Sequence, residues 1–269
     1  MPVGDVQWAG EESEVALGML QRHIKWGVEH DAYFIGLGDY IDTFSPSNRA
    51  RLSGAQFYDT AMKAMDRDAE ARVKEIYNLA LKPSKGRWLG LLEGHHFHEF
   101  RDRTTSDQLL ARMLDAPFLG TSAYVRLVFP YGHGSGTSTG QVLIWAHHGQ
   151  GGGSTAGSAL NRLERAAKSW DADIYLMGHH HKIGAQPLDY IRPVYSPSGK
   201  PHLEHATKLL VATGSFLKGY VAGRQDGGVP RGGYVEQGMM NPVQLGAPLV
   251  KIRPRWKDGR WAPDLGAEV

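Results

Sequence analysis

Five short apolar runs in this chain stop abruptly at a polar cluster, and three of those clusters hold adjacent histidines. The run Ile174-Tyr175-Leu176-Met177 ends in Gly178-His179-His180-His181. "GRWLGLLEGHH" (86–96) ends in Gly94-His95-His96, and "GQVLIWAHHG" (140–149) in His147-His148-Gly149. "AYFIGLGD" (32–39) runs into Gly38-Asp39-Tyr40-Ile41-Asp42, and the opening "PVG" into Asp5-Val6-Gln7. Apolar runs of this length, bounded by glycine, read as buried strands. In open α/β sheets ligands sit beyond the carboxyl ends of the strands. If these strands are neighbours, two aspartates, a glutamine and several histidines converge on one spot.

Further strands are expected at 123–129, 208–220 and 247–256. Helices fill gaps between them. Residues 11–29 carry Val15, Met19, Leu20, Ile24 and Val28 at helical spacing, with Glu11 and Glu12 where the macrodipole favours acids. Residues 55–81 read as one long helix or a pair. Ser106 and Asp107 are expected to cap "QLLARML", and Ser158 to cap "ALNRLERAAKSW". Alternation of strands and helices argues for an α/β class, with sheet layers flanked by helices. No composition break divides the chain, so residues 1–269 are expected to form one domain. The glycine-rich pieces 132–140 and 149–157 read as loops, and 221–246 as a long surface loop near the site or at a partner contact.

Composition narrows the chemistry. There are no cysteines, so any metal must be held by nitrogen and oxygen. Thirty Lys and Arg against 28 Asp and Glu give a formal charge of +2, which does not predict a nucleic-acid or anionic-membrane surface. No apolar run approaches the ~20 residues of a membrane span. The first residues lack a signal-peptide pattern, and a cytoplasmic location is the expectation. Only four residues precede Asp5, so either the first strand is very short or the native start lies upstream of Met1.

Two divalent cations about 3.5–4 Å apart can clamp both the attacking and the leaving oxygen of a phosphoryl transfer. Such a pair needs a bridging carboxylate to offset two close charges, and neutral imidazoles and amides to complete each shell. A glycine before each ligand lets the backbone turn sharply and approach the ions.

The ordered set Asp5-Val6-Gln7, Gly38-Asp39-Tyr40-Ile41-Asp42, Gly94-His95-His96-Phe97, His147 and Gly178-His179-His180-His181 resembles the calcineurin-like metallophosphoesterase family. That family's pattern is D-x-H, G-D-x-x-D, G-N-H-[DE], an isolated His after a strand, and G-H-x-H. The resemblance spans residues 5–181 and implies a four-layer α-β-β-α sandwich with two mixed sheets. It implies two divalent metal ions, Mn²⁺ first, with Zn²⁺, Fe, Mg²⁺, Ni²⁺ or Co²⁺ as alternatives. Asp39 would bridge them, Asp5 and His181 would hold the first, and His147 and His179 the second. His96 would act beside the metals as general acid or electrostatic stabiliser, with Asp42 orienting it. The implied reaction is hydrolysis of a small-molecule or nucleotide phosphomonoester or phosphodiester by metal-bound hydroxide.

Two positions depart from the pattern. Gln7 replaces a histidine, as a harder and weaker ligand that favours Mn²⁺ or Mg²⁺ at the first metal. His95 replaces an asparagine and tilts the second metal toward a transition ion. His148 and His180 each adjoin a stronger candidate and read as flanking residues, because neighbours on a strand face opposite ways. His98 reads as a loop or supporting residue. "HHGQGGGSTAG" (147–157) could cradle phosphate through its amides but lacks the Lys of a P-loop. Trp8, Tyr40 and Phe44 either pack or form an aromatic rim. Two rival readings stand beside the phosphoesterase: a nuclease, with Arg101, Arg103 and Arg112 as its best basic cluster, and a catalytically impaired scaffold, motivated by Gln7 and His95.

Overall fold

In a computed structural model the protein is described for residues 1–10, 14–44, 46–53, 57–131, 138–153, 155, 157–195, 199–226, 228–257 and 260–269. Glu11 and Glu12, and most of the 132–140 loop, lie outside the described residues.

Four short strands form one sheet: β1 (Pro2–Val3), β2 (Phe34–Gly36), β3 (Trp88–Leu92) and β4 (Phe118–Gly120), in that order and parallel throughout. Strands β5 (Ser122–Tyr131), β6 (Ser138–His147), β7 (Ile174–Met177), β8 (Ile183–Tyr195) and β9 (Pro201–Thr213) form a second, mixed sheet ordered β5-β6-β7-β9-β8. Two mixed sheets were expected; the first proves parallel because each of its connections passes through a helix or a crossover long enough to return the chain.

Helix α1 (Leu17–Glu29) buries Leu20 and Ile24, α2 is Pro46–Ser53, and α3 (Asp59–Ile76) buries Val73 and Ile76 before running through a π-turn at Tyr77–Leu81. The 55–81 expectation thus resolves into α3 and its π-helical extension. Helix α4 (Ser106–Met113) starts at Thr105, whose side chain accepts from the Gln108 amide while Gln108 reaches back to the Thr105 amide. This capping box displaces Ser106 and Asp107 as the caps, because the cap sits one residue before the first helical turn. Likewise α5 (Ser158–Ala166) is capped at Gly157, and Ser158 instead donates its hydroxyl to the Thr155 carbonyl.

Three apolar clusters join the sheets and helices. Ile35, Leu37 and Leu92 of the first sheet's segments meet Ile144, Ile174, Leu176 and Val211 of the second. On the far face of the first sheet, Phe34, Trp88 and Leu91 pack with Leu20, Ile24, Val73, Ile76 and Leu110 from α1, α3 and α4. On the far face of the second, Trp145, Tyr175 and Leu210 pack with Ala159 and Leu163 of α5. Strands covered on both faces read as continuous apolar runs, which is why their pattern does not alternate.

Sequence reading missed β8, whose Gly184, Pro187 and Pro193 speak against a strand. It is the outermost strand of its sheet, where a proline costs no ladder bond on the free side. The 221–246 segment carries a two-strand hairpin, β10 (Gln225–Asp226) with β11 (Val229–Pro230), and the short helix α6 (Tyr234–Gln237). Near the C-terminus β12 (Leu249–Arg253) pairs with β15 (Asp264–Glu268), and β13 (Trp256–Lys257) with β14 (Arg260–Trp261). Among the described residues no helix is long and apolar enough to cross a membrane.

Candidate metal centre

Strands β1, β2, β3, β6 and β7 deliver the polar clusters to one edge of the two sheets. Past β1 and β2 the chains stay joined: the amides of Asp5, Val6, Gln7 and Trp8 donate to the carbonyls of Gly38, Asp39, Asp39 and Tyr40 at 2.8–3.1 Å. Asp5 and Asp39 are therefore held side by side, and both are fully buried. From the other sheet the His179 amide donates to Asp5 Oδ2 at 2.8 Å. The amides of His95 and His96 both donate to Asp39 Oδ1, the second at 2.9 Å.

The local backbone is strained where the site is built. Asp5, Gln7, Asp39, His179 and His181 have φ of +49°, +52°, +55°, +64° and +54°. They are five of the nine non-glycine residues in the left-handed region among the described residues. Each such residue costs about 1–2 kcal/mol unless its surroundings enforce it. Glycine is required where these turns meet. A methyl on Gly94 would lie 2.1 Å from both the amide nitrogen and Oδ1 of Asp39, and one on Gly178 would lie 2.7 Å from Asp5 Oδ2.

Among the described residues, two groups of side chains could hold a metal ion: Asp5, Asp39 and His148, and His95, His148 and His179. Within each, the donor atoms all lie within 4.8 Å of one another. Three donor pairs fit a common ion closely. His148 Nε2 is 3.3 Å from Asp39 Oδ2, His95 Nδ1 is 3.3 Å from His179 Nδ1, and His181 Nε2 is 3.4 Å from Asp5 Oδ1. Two nitrogen ligands at about 2.1 Å on a tetrahedral ion stand about 3.4 Å apart. Asp5 Oδ1, Asp39 Oδ2 and His148 Nε2 are buried without a hydrogen-bond partner. Buried polar atoms are normally satisfied; Asp5 Oδ1 and the Asp39 Oδ2–His148 Nε2 pair are thus donors that could hold a cation.

The structure thus gathers Asp5, Asp39, His95, His179 and His181 from the sequence-derived set. Gln7 is buried beside them and lines the same cavity. His147 is not gathered. Its Nδ1 accepts the Gly149 amide at 2.7 Å and its ring stacks on Trp145. His148, read from sequence as a flanking residue, takes its place in both groups. The strand ends at His147, so which of two adjacent imidazoles faces inward depends on register, which the sequence does not reveal. His148 Nδ1 is fixed by the Leu37 carbonyl at 2.6 Å, which aims Nε2 at Asp39.

Electrostatics follow from burial and proximity. Burial opposes charge on both Asp39 and His148, but their mutual attraction wins. It holds the Asp39 carboxyl far below the usual range and lifts His148 to about 9. Burial, and then repulsion from His148, lowers His179 to about 4. Burial also lowers His95, His147 and His180, leaving them neutral and able to bind metal. His96 is raised: burial works against its charge, but the Asp42 hydrogen bond and the Asp39 charge outweigh it. His96 Nδ1 lies 2.9 Å from Asp42 Oδ1, and its Nε2 is 4.0 Å from Asp39 Oδ2.

Residues remote in sequence brace this loop. Arg49 of α2 donates to the His95 and Phe97 carbonyls at 2.7 and 3.1 Å and stacks over the Phe97 ring. Arg72 of α3 donates to the Asp42 carbonyl at 2.6 Å. Asp107, fully buried and pushed up to about 7 by burial, accepts the Gly94 amide at 3.0 Å. No local pattern announces these three as part of the site. His98 pairs with Asp66 at 2.8 Å and stays a support, as read. Tyr40 is buried with its hydroxyl on the Leu92 carbonyl, so it packs and forms no rim. Trp8 donates to Glu75, and Phe44 lies against His98.

A cavity of about 450 Å³ opens over the centre, with Gln7, Asp39, His96, His179 and His181 on one wall and backbone of Gly151–Gly153 beside them. Ser154 of the glycine loop lies outside the described residues. Of the basic cluster, Arg101 pairs with Asp59 and Asp66, and Arg103 with Glu99. Arg112 shares a surface groove with Glu70 and Asp102. No protein-family model matches the chain, and no curated protein matches it.

Proposed function

We propose that the protein is a binuclear metal-dependent phosphoesterase on an α-β-β-α sandwich, the layering suggested by the three apolar clusters. The observation that carries this reading is the pair of buried carboxylates with orphaned oxygens, Asp5 and Asp39, converging with three histidines. Asp39, His148 and Asp5 would hold one cation with His181 and Gln7 at its margin. His95 and His179 would hold the other, because the one free nitrogen of His148 can serve only one ion; Mn²⁺ accepts such a mixed set of carboxylate oxygens and imidazole nitrogens. Bound cations supply Lewis-acid activation of water and offset charge on the phosphoryl oxygens. The chain's own groups do the rest. His96, protonated and aligned by Asp42, donates a proton to the leaving oxygen or holds a phosphoryl oxygen. Asp39 keeps the His95–His96 amides in place, and the buried floor keeps bulk water from the ligands. The internally paired arginines give no support to a nucleic-acid track.

The test is elemental analysis of purified protein together with hydrolysis of chromogenic phosphomonoesters and phosphodiesters in Mn²⁺, Ni²⁺, Zn²⁺, Mg²⁺ and Co²⁺. The reading expects close to two ions per chain and turnover with at least one metal. Stoichiometric metal without turnover of either ester class would leave the scaffold reading instead.

A further inference from the structure

The wall facing the metal centre is chemically unlike it. Leu217 and Val235, both buried, line the same cavity as the His and Asp residues, together with Met239, Met240 and Val243. Met239 is 93% exposed and Met240 47%. A backbone turn places them there: the Met239 amide donates to Glu236 and the Met240 amide to Val235, at 3.1 and 2.9 Å, with Met239 at φ +50°. Single exposed apolar residues need no explanation. Two adjacent methionines held in a strained turn across from five polar site residues do. Methionine adapts to flat rings through its flexible, polarizable thioether. The amide of Asn241 lies on the same wall. The cavity is far larger than one phosphoryl group needs and falls within the range of small-molecule sites.

Resting on the phosphoesterase reading, we propose that the Met239–Met240 wall is a subsite for a flat apolar ring, so that the substrate is a small phosphate ester whose alcohol carries an aromatic ring. The phosphoryl group lies against the His and Asp residues, and the ring lies against the thioethers. A bare alkyl phosphate fills only the first half of this cavity.

Titration calorimetry of Mn²⁺-loaded protein with benzylphosphonate and methylphosphonate separates binding from leaving-group chemistry. Burial of the phenyl ring, discounted for ordering, is expected to favour the benzyl compound by about tenfold or more. In M239S/M240S the ratio of the two affinities should fall to about threefold or less. Because Met239 faces solvent, thermal melting of the variant should match the wild type and exclude misfolding. Equal affinities in the wild-type protein, or a ratio that survives in M239S/M240S, overturn the subsite while leaving the metal-centre reading intact. Failure of both phosphonates to bind overturns the phosphoesterase reading and this inference with it.

Discussion

Replacing each of the adjacent histidines in turn discriminates between the sequence pattern and the folded geometry. In metal-free protein His148→Ala removes the cation that compensates fully buried Asp39 and the donor that satisfies the Leu37 carbonyl. Removing one partner of a buried ion pair costs about 3–5 kcal/mol. His147→Ala removes an acceptor for the Gly149 amide and a ring stacked on Trp145, worth about 1 kcal/mol together. Urea unfolding in chelator should rank the two accordingly. The metal readout should differ more. His148 belongs to both donor groups, so H148A should weaken Mn²⁺ binding by more than about 100-fold, beyond what loss of a supporting residue does. H147A should change it little. His148 titrates near 9 in the metal-free protein, so Mn²⁺ binding at pH 7.5 should release its proton. That release should vanish in H148A, as read from calorimetry in buffers of different ionisation enthalpy. A manganese site lost in H147A and intact in H148A would refute the geometric argument and restore the pattern-based ligand.

Three further outcomes are expected. His96→Ala should cut turnover by roughly 10²–10⁴ with metal content unchanged, and Asp42→Asn, by lowering the raised His96 pKa, should move the alkaline limb of the rate profile to lower pH; metal loss in H96A would make His96 a ligand. Asp107 is held up at about 7 by burial, so the wild-type fold favours its neutral form and loses stability as pH rises from 4 through 7. Asp107→Asn should therefore gain on wild type in unfolding free energy between pH 5 and 8, and parallel pH curves would contradict this. His23 is lowered to about 4 by burial and the nearby chain amine, so its stabilising contribution is full above 6.5 and is lost as pH falls toward 4. Over that window wild type should lose about 3 kcal/mol more than His23→Gln, measured by denaturant unfolding.

What the sequence determined by itself was the list of strand ends. Glycine followed by aspartate or histidine, after a short apolar run, marks a turn at a buried edge, and Asp5, Asp39, His95, His179 and His181 all meet there. The continuous apolar runs also announced strands covered on both faces, hence an α/β class. Tertiary structure decided the rest. It chose His148 over His147, because strand register sets which neighbour faces inward. It made β8 an outer strand despite two prolines, since only position in the sheet tells whether an amide is needed. It brought Arg49, Arg72 and Asp107 behind the His95–His96 turn from segments with no site signal, and it set Met239 and Met240, in the 221–246 stretch read as a loop near the site or at a partner contact, on the same cavity. Short-range preference and periodicity act over a few residues, whereas a site such as this is assembled by packing between elements 13 to 174 positions apart, and that information exists only in the folded chain.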